Sequence, residues 1–147
     1  MIRFRAAACE DVPHVVALLR DDALGRGRED QPMERYLAAF DAMSAEPGNQ
    51  LIVGEANGRI VATYQLTLIS GLSLSAARRA QIEAVRIASD LRGQGAGRLL
   101  MADAESRARA GGARLVQLTS NASRGEAHRF YERLGYAPSH IGFKKSL

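Results

Sequence analysis

Ile2, Phe4 and Ala6 alternate with Arg3 and Arg5, the two-residue period of a short strand with one buried face. Val12, Val15, Val16 and Leu19 then recur at three- and four-residue intervals, which predicts an amphipathic helix with Asp11 as N-cap and Pro13 in its first turn. Residues 23–31, rich in Gly and alternating charge, read as a connection. The stripe Met33, Tyr36, Leu37 and Phe40 predicts a second helix that ends near Pro47 and Gly48 and lies beside the first. Two β-rich runs, 51–56 and 59–69, flank Asn57-Gly58, the dipeptide best suited to a two-residue hairpin with positive φ at both turn positions. Beyond a less legible stretch at 70–79, residues 81–88 read as a strand, 95–110 as a helix closed by Gly111-Gly112, and 115–119 as a short strand. Residues 123–134 read as a helix with a capping box of Ser123 and Glu126, stopped by Gly135, and 136–147 as one or two last strands.

Antiparallel strands followed by strand, helix, strand, helix, strand predict an α+β (mixed α/β) fold. The expected architecture is a central mixed, mostly antiparallel sheet with helices on both faces. With 147 residues and neither an internal repeat nor a low-complexity linker, residues 1–147 are expected to form a single domain.

Composition narrows the function classes. The chain is 46% hydrophobic and 24% charged, as a soluble globular protein is, and no window is apolar for long enough to span a bilayer. Its N-terminus moves directly from alternating apolar residues into acidic ones, without an apolar leader, so cytoplasmic residence is expected. The single cysteine, Cys9, has no internal partner, and no His, Cys or Asp spacing suits a metal. The formal charge of +4 favours anionic partners, yet the arginines are scattered, without the dense basic block that nucleic-acid binding uses. A phosphate-bearing small molecule explains the charge as well.

The strongest chemical signal is Arg92-Gly93-Gln94-Gly95-Ala96-Gly97, between the apolar run 82–87 and a helix. Glycines let the backbone turn tightly and approach a ligand, and a helix N-terminus offers unpaired N–H donors with partial positive charge. That order of strand, basic glycine loop and helix suits a pyrophosphate; the alternative is an ordinary tight turn.

Simple alternation in the preceding strand puts Glu83, Val85 and Ile87 on one face and Ile82, Ala84 and Arg86 on the other. A carboxylate among apolar neighbours would be partly desolvated and suited to take a proton from an ammonium group, which makes Glu83 a candidate base; it could equally be solvated or paired with Arg86 or Arg78. Asn121, just past a strand end, could hold a polar ligand group or serve as a turn residue. Tyr131 lies on a packing stripe with Ala127 and Leu134, yet its phenol could protonate a leaving thiolate. His128 has no acidic orienter in the sequence and reads as an exposed or capping histidine, and His14 and His140 are isolated.

With these residues assembled, the chain resembles the GNAT superfamily of N-acetyltransferases over nearly its whole length. The likeness is strongest in IEAVRIASDLRGQGAGRLL, similar to the family's cofactor motif, and in NASRGEAHRFYERLGY, similar to its C-terminal motif. The resemblance implies a GNAT-like fold with a splayed parallel strand pair, acetyl-coenzyme A as acetyl donor, and a primary amine as acceptor. It implies that backbone groups of Val85 and Ile87 pair with the pantetheine arm and that amides of Arg92, Gly93, Gln94, Gly95, Ala96 and Gly97 hold the pyrophosphate. Asn121 would contact the coenzyme, Tyr131 would be the acid, and Glu83 stands where relatives often place an acidic residue near the amine. Ser89 stands where many relatives carry Pro, which should loosen the loop entry slightly. Direct attack of a neutral amine on the thioester is expected, with a strand N–H near Ile87 polarising the carbonyl.

Similarity to members acting on phosphorylated or phosphonate amines suggests a small anionic amine, whose anion Arg86, Arg26, Arg28 or Lys144 could meet. Alternatives are a protein or peptide amine as acceptor, or a non-catalytic acyl-coenzyme A sensor. Neither a nucleic acid nor a membrane is expected as partner, and a homodimer is.

Overall fold

The structure, a computed structural model, describes residues 1–147. The chain divides into two compact units, residues 1–117 and 118–147. The first contains β1 (Arg3–Ala6), α1 (Val12–Arg20), α2 (Met33–Ala45), β2 (Asn49–Ala56), β3 (Arg59–Ile69), a four-residue turn α3 (Ser73–Ala76), β4 (Arg79–Ile87) and α4 (Ala96–Ala110). Strand β5 (Leu115–Leu118) runs across the division, and α5 (Gly125–Arg133) belongs to the second unit.

The sheet order is β1-β2-β3-β4-β5, with the first four strands antiparallel and β5 parallel to β4. The hairpin forms where Asn57-Gly58 requires it: Ala56 pairs with Arg59, and the turn residues have φ of 51° and 73°. Simple side-chain alternation sends Ala62, Tyr64 and Leu66 of β3 to one face, and Thr63 and Gln65 to the other. Helix α4 covers the first face with buried Leu100, Met101, Ala104 and Ala108. There the hydroxyl of the fully buried Tyr64 donates to Asp103 of α4, and Arg107 Nε donates to the same carboxylate at 2.8 Å. Burial, and then the bond to Asp103, push the Tyr64 phenol above its usual range. Helix α1 packs on the other face through Val12, Val15, Val16 and Leu18; Leu18, not the predicted Leu19, is the residue its last turn buries. Helix α2 touches α1 as expected but buries no residue fully.

Asp11 occupies the predicted N-cap position of α1, but its carboxylate turns away from the helix. It accepts from Ala8 N at 2.7 Å and from the Arg5 guanidinium at 2.7 and 3.0 Å. The hydrogen bond from Arg5 holds this buried carboxyl below the ordinary carboxylate range. Its stabilising contribution is therefore complete above the unfolded value of about 4 and is lost as pH falls through the lower folded value. Asp11→Ala is expected to cost about 2 kcal/mol at neutral pH and progressively less on acidification, as read from urea midpoints across pH.

The structure departs from three further expectations. Helix α5 starts at Gly125, two residues later than predicted, and its N-cap Arg124 makes no side-chain capping bond, so the Ser123–Glu126 box does not form. Instead Asn121 Oδ1 accepts from Ser123 N at 3.0 Å and Ser123 Oγ at 2.7 Å, an Asx turn that leads the chain into the helix. Residues 136–147 form no strand; 137–147 are exposed throughout, including Ile141 and Phe143, so their side chains lack the burial that holds a half-buried strand in place. The third departure is a bulge in β4, in the strand that leads to the glycine loop.

Candidate acetyl-transfer site

Strand β4 does not keep a simple alternation. Thr63 pairs with Arg86 and Gln65 with Glu83, so Tyr64 of β3 faces two residues, Ala84 and Val85. Ala84 takes φ 53°, the left-handed conformation that accommodates such a bulge. The extra residue inverts the side-chain phase: Glu83 and Arg86 share the α1 face, while Ile82 and Ile87 share the other. The expected grouping of Glu83 with Val85 and Ile87 is therefore wrong. Glu83 is also exposed rather than desolvated, opposite the half-buried Gln65.

Beyond the bulge the backbone groups are informative. Ala88 N donates to Val61 O of β3 at 2.8 Å, so alternation turns the N–H groups of Ile87 and Val85 away from β3, toward the other edge of β4. Strand β5 reaches only the start of that edge: Arg114 N donates to Arg78 O at 2.8 Å, and the Gln117 side chain donates to Gln81 at 2.7 Å. Four residues of β5 against nine of β4 leave the second half of β4 open on this side. The outward carbonyls are engaged by the chain's own arginines, Val85 O by Arg86 Nη1 at 2.8 Å and Ile87 O by Arg92 Nε at 3.1 Å.

The open edge runs into the glycine loop. Gly93 and Gly95 adopt φ of 76° and 84°, and Gly95 is the N-cap of α4. A Cβ at either position would meet nothing within 4 Å, so glycine serves here for its backbone conformation and not for lack of space. Two of the six amides in 92–97 are used within the loop, Arg92 N to Ser89 O at 3.3 Å and Gln94 N to Leu91 O at 3.4 Å. Those of Gly93, Gly95, Ala96 and Gly97 have no acceptor, and α4 adds the positive end of a fifteen-residue helix. Side chains brace the loop: Arg92 Nη2 donates to Asp21 O at 2.7 Å, Gln94 Nε2 to Asp90 O at 2.7 Å, and Arg59 pairs with Asp90. An extended edge of free N–H groups leading to an anion cradle suits a linear ligand with a diphosphate at one end.

Glu83, Val85, Ile87 and residues 92–97 thus lie on one continuous strand and loop of the first unit. Asn121 and Tyr131 belong to the second. There the Asn121 carbonyl oxygens are engaged locally, Oδ1 by Ser123 and the main-chain O by Arg124 N at 2.9 Å and His128 Nε2 at 2.9 Å. His128 thus finds a main-chain partner. Half-buried Tyr131 packs edge-on between Phe130 and Tyr136, with ring centroids 5.2 and 6.0 Å away. What periodicity missed is the bulge. Its only trace in the sequence is the failure of IEAVRI to alternate, with two apolar residues, Ala84 and Val85, adjacent between Glu83 and Arg86.

Residues 14–136 match the acetyltransferase (GNAT) family. The chain belongs to that family and is an N-acetyltransferase that uses acetyl-coenzyme A as donor. It is 32% identical over 143 residues to the aminoalkylphosphonate N-acetyltransferase of Salmonella typhimurium, a match covering 97% of this chain and 90% of that protein. A solved structure from Bacillus halodurans C-125, described as a transcriptional regulator, is 38% identical with a TM-score of 0.94, each chain covered completely. Glucosamine-6-phosphate N-acetyltransferase from Arabidopsis thaliana shares the fold, with a TM-score of 0.79 at 20% identity, over 99% of this chain and 98% of that one. No helix is long and apolar enough to cross a membrane.

Proposed function

We propose that this acetyltransferase acts on the primary amine of a small anionic metabolite, by direct attack on the thioester in a ternary complex. The observation that carries the reading is the run of unpaired amides at Gly93, Gly95, Ala96 and Gly97 at the end of the open β4 edge. The near full-length similarity to an aminoalkylphosphonate N-acetyltransferase supports an amine bearing an anion. In this reading the N–H groups of Val85 and Ile87 pair with the pantetheine arm, and the loop amides hold the diphosphate, Arg92 and Gln94 contributing mainly by bracing the loop. Asn121 contributes its side-chain NH2, since its Oδ1 is occupied. Tyr131 gives a proton to the leaving thiolate. Residues 1–147 act as one transferase domain, in the cytoplasm, as a homodimer; the exposed Ile141 and Phe143 support pairing of the C-terminal segment with a second copy.

The amine loses its proton to Glu83 or to water beside it. Because Glu83 is exposed, its part is to accept a proton from a solvated ammonium, not to act as a desolvated base. Glu83→Gln is expected to lower kcat/KM about tenfold at neutral pH, with the deficit closing at high pH, where the amine is already neutral. A pH profile that superimposes on the parent's would assign the proton transfer to water alone.

A panel measuring coenzyme A release from acetyl-coenzyme A tests the acceptor, using phosphonate, phosphorylated and amino-acid amines beside peptides. Selective turnover of small anionic amines is the expected result; turnover confined to peptides would overturn it.

A further inference from the structure

Between α1 and α2, residues 23–31 carry little apolar surface of their own, yet Asp22 ties them down. Its Oδ1 accepts from Leu24 N at 2.7 Å and Gly25 N at 3.2 Å, shaping the turn, while Oδ2 pairs with Arg86 Nη2 at 3.0 Å. The pair is nearly enclosed, with the two side chains 13% and 15% exposed. Arg86 stands two residues past the bulge of β4, on the α1 face that Glu83 shares. The turn fits closely: a Cβ on buried Gly25 would fall 1.8 Å from Leu19 O. The neighbouring Asp21 faces the donor side, where its main-chain O and carboxylate hold Arg92 at 2.7 and 3.4 Å.

We infer that Asp22 is a positioning residue for the acceptor: through Arg86 it docks the 23–31 segment against β4 beside the bulge and so fixes the wall against which the amine is held. The inference rests on the acetyl-transfer reading of β4 given above. It also reassigns Arg86. An enclosed guanidinium already neutralised by a carboxylate is a strut, not a receptor for the acceptor's anion. The anion-binding role then falls to groups the docked segment presents, such as Arg26, which is exposed and has no carboxylate within ion-pair distance.

The test uses the full chain with (aminomethyl)phosphonate as acceptor, together with trypsin, which cuts after Arg26 and Arg28. Asp22→Asn can keep the turn's acceptor oxygen but loses the charge. It is expected to raise the acceptor KM about tenfold, to leave the acetyl-coenzyme A KM within about twofold, and to speed cleavage at Arg26 and Arg28 about tenfold. Arg86→Gln should match it, the double variant should be no worse than the worse single one, and Arg86→Lys should fall between. Parental cleavage rates in Asp22→Asn overturn the docking; faster cleavage with an unchanged acceptor KM overturns the positioning role. Should the parent fail to acetylate any amine, the acceptor reading fails by itself, and the cleavage rates still decide the docking.

Discussion

Gly95→Asp is expected to raise the acetyl-coenzyme A KM by at least about a hundredfold while leaving the fold intact. Asp is among the residues that tolerate a left-handed conformation and is a favoured N-cap, and the space around Gly95 is open. The free chain should therefore melt within a few degrees of the parent. The new carboxylate, however, sits among the unpaired amides of Gly93, Ala96 and Gly97 and supplies the anion they lack. A diphosphate would have to displace it and bear its repulsion. Loss of two charge-assisted hydrogen bonds amounts to about 3 kcal/mol, which is about a hundredfold in affinity. Gly95→Ala separates the two effects, since it brings the strain of positive φ without the charge, and it should weaken binding only about tenfold. Equal effects of Ala and Asp, read from saturation curves, would show that conformation and not charge complementarity governs the loop.

Tyr131→Phe carries the second large effect. The ring packs against Phe130 and Tyr136, and phenylalanine keeps both edge-on contacts, so the helix that carries it should hold. Removing only the hydroxyl is expected to lower kcat about a hundredfold, the usual scale for a positioned general acid, with the acetyl-coenzyme A KM within about twofold. Leaving-group dependence sharpens the test. A thioester of a more acidic thiol needs less protonation, and the variant should recover toward the parent on such a donor. A drop of the same size on both donors would remove Tyr131 from proton transfer and leave it a packing residue.

Much of this site is legible in the sequence because it is made of local backbone chemistry. Positive φ at Asn57, Gly58, Gly93 and Gly95 is written into the residue types, and the hairpin and loop appear where those residues stand. The bulge at Ala84 is not legible in this way, since a non-glycine residue with positive φ is chosen by the ladder to β3 and not by its own preference. That one residue changes which side chains accompany Glu83, and it turns a candidate desolvated base into an exposed one. The Asp22–Arg86 pair is hidden for a related reason: 64 positions separate its members, and nothing local marks them as partners. The segment 136–147 shows the opposite failure, β-prone residues such as Ile141 and Phe143 whose side chains stay exposed and build no strand. The 70–79 stretch is illegible because three successive non-glycine residues, Leu74, Ser75 and Ala76, take left-handed angles that their composition gives no reason to expect.

The central claim is that main-chain amides of the glycine loop grip the diphosphate of the coenzyme. A titration of ¹⁵N-labelled protein with coenzyme A reads those groups individually by their proton and nitrogen shifts. The amides of Gly93, Gly95, Ala96 and Gly97 should move downfield and become protected from exchange, whereas Arg92 and Gln94, already bonded within the loop, should change least. Saturable binding of coenzyme A that leaves those four resonances in place would contradict the account.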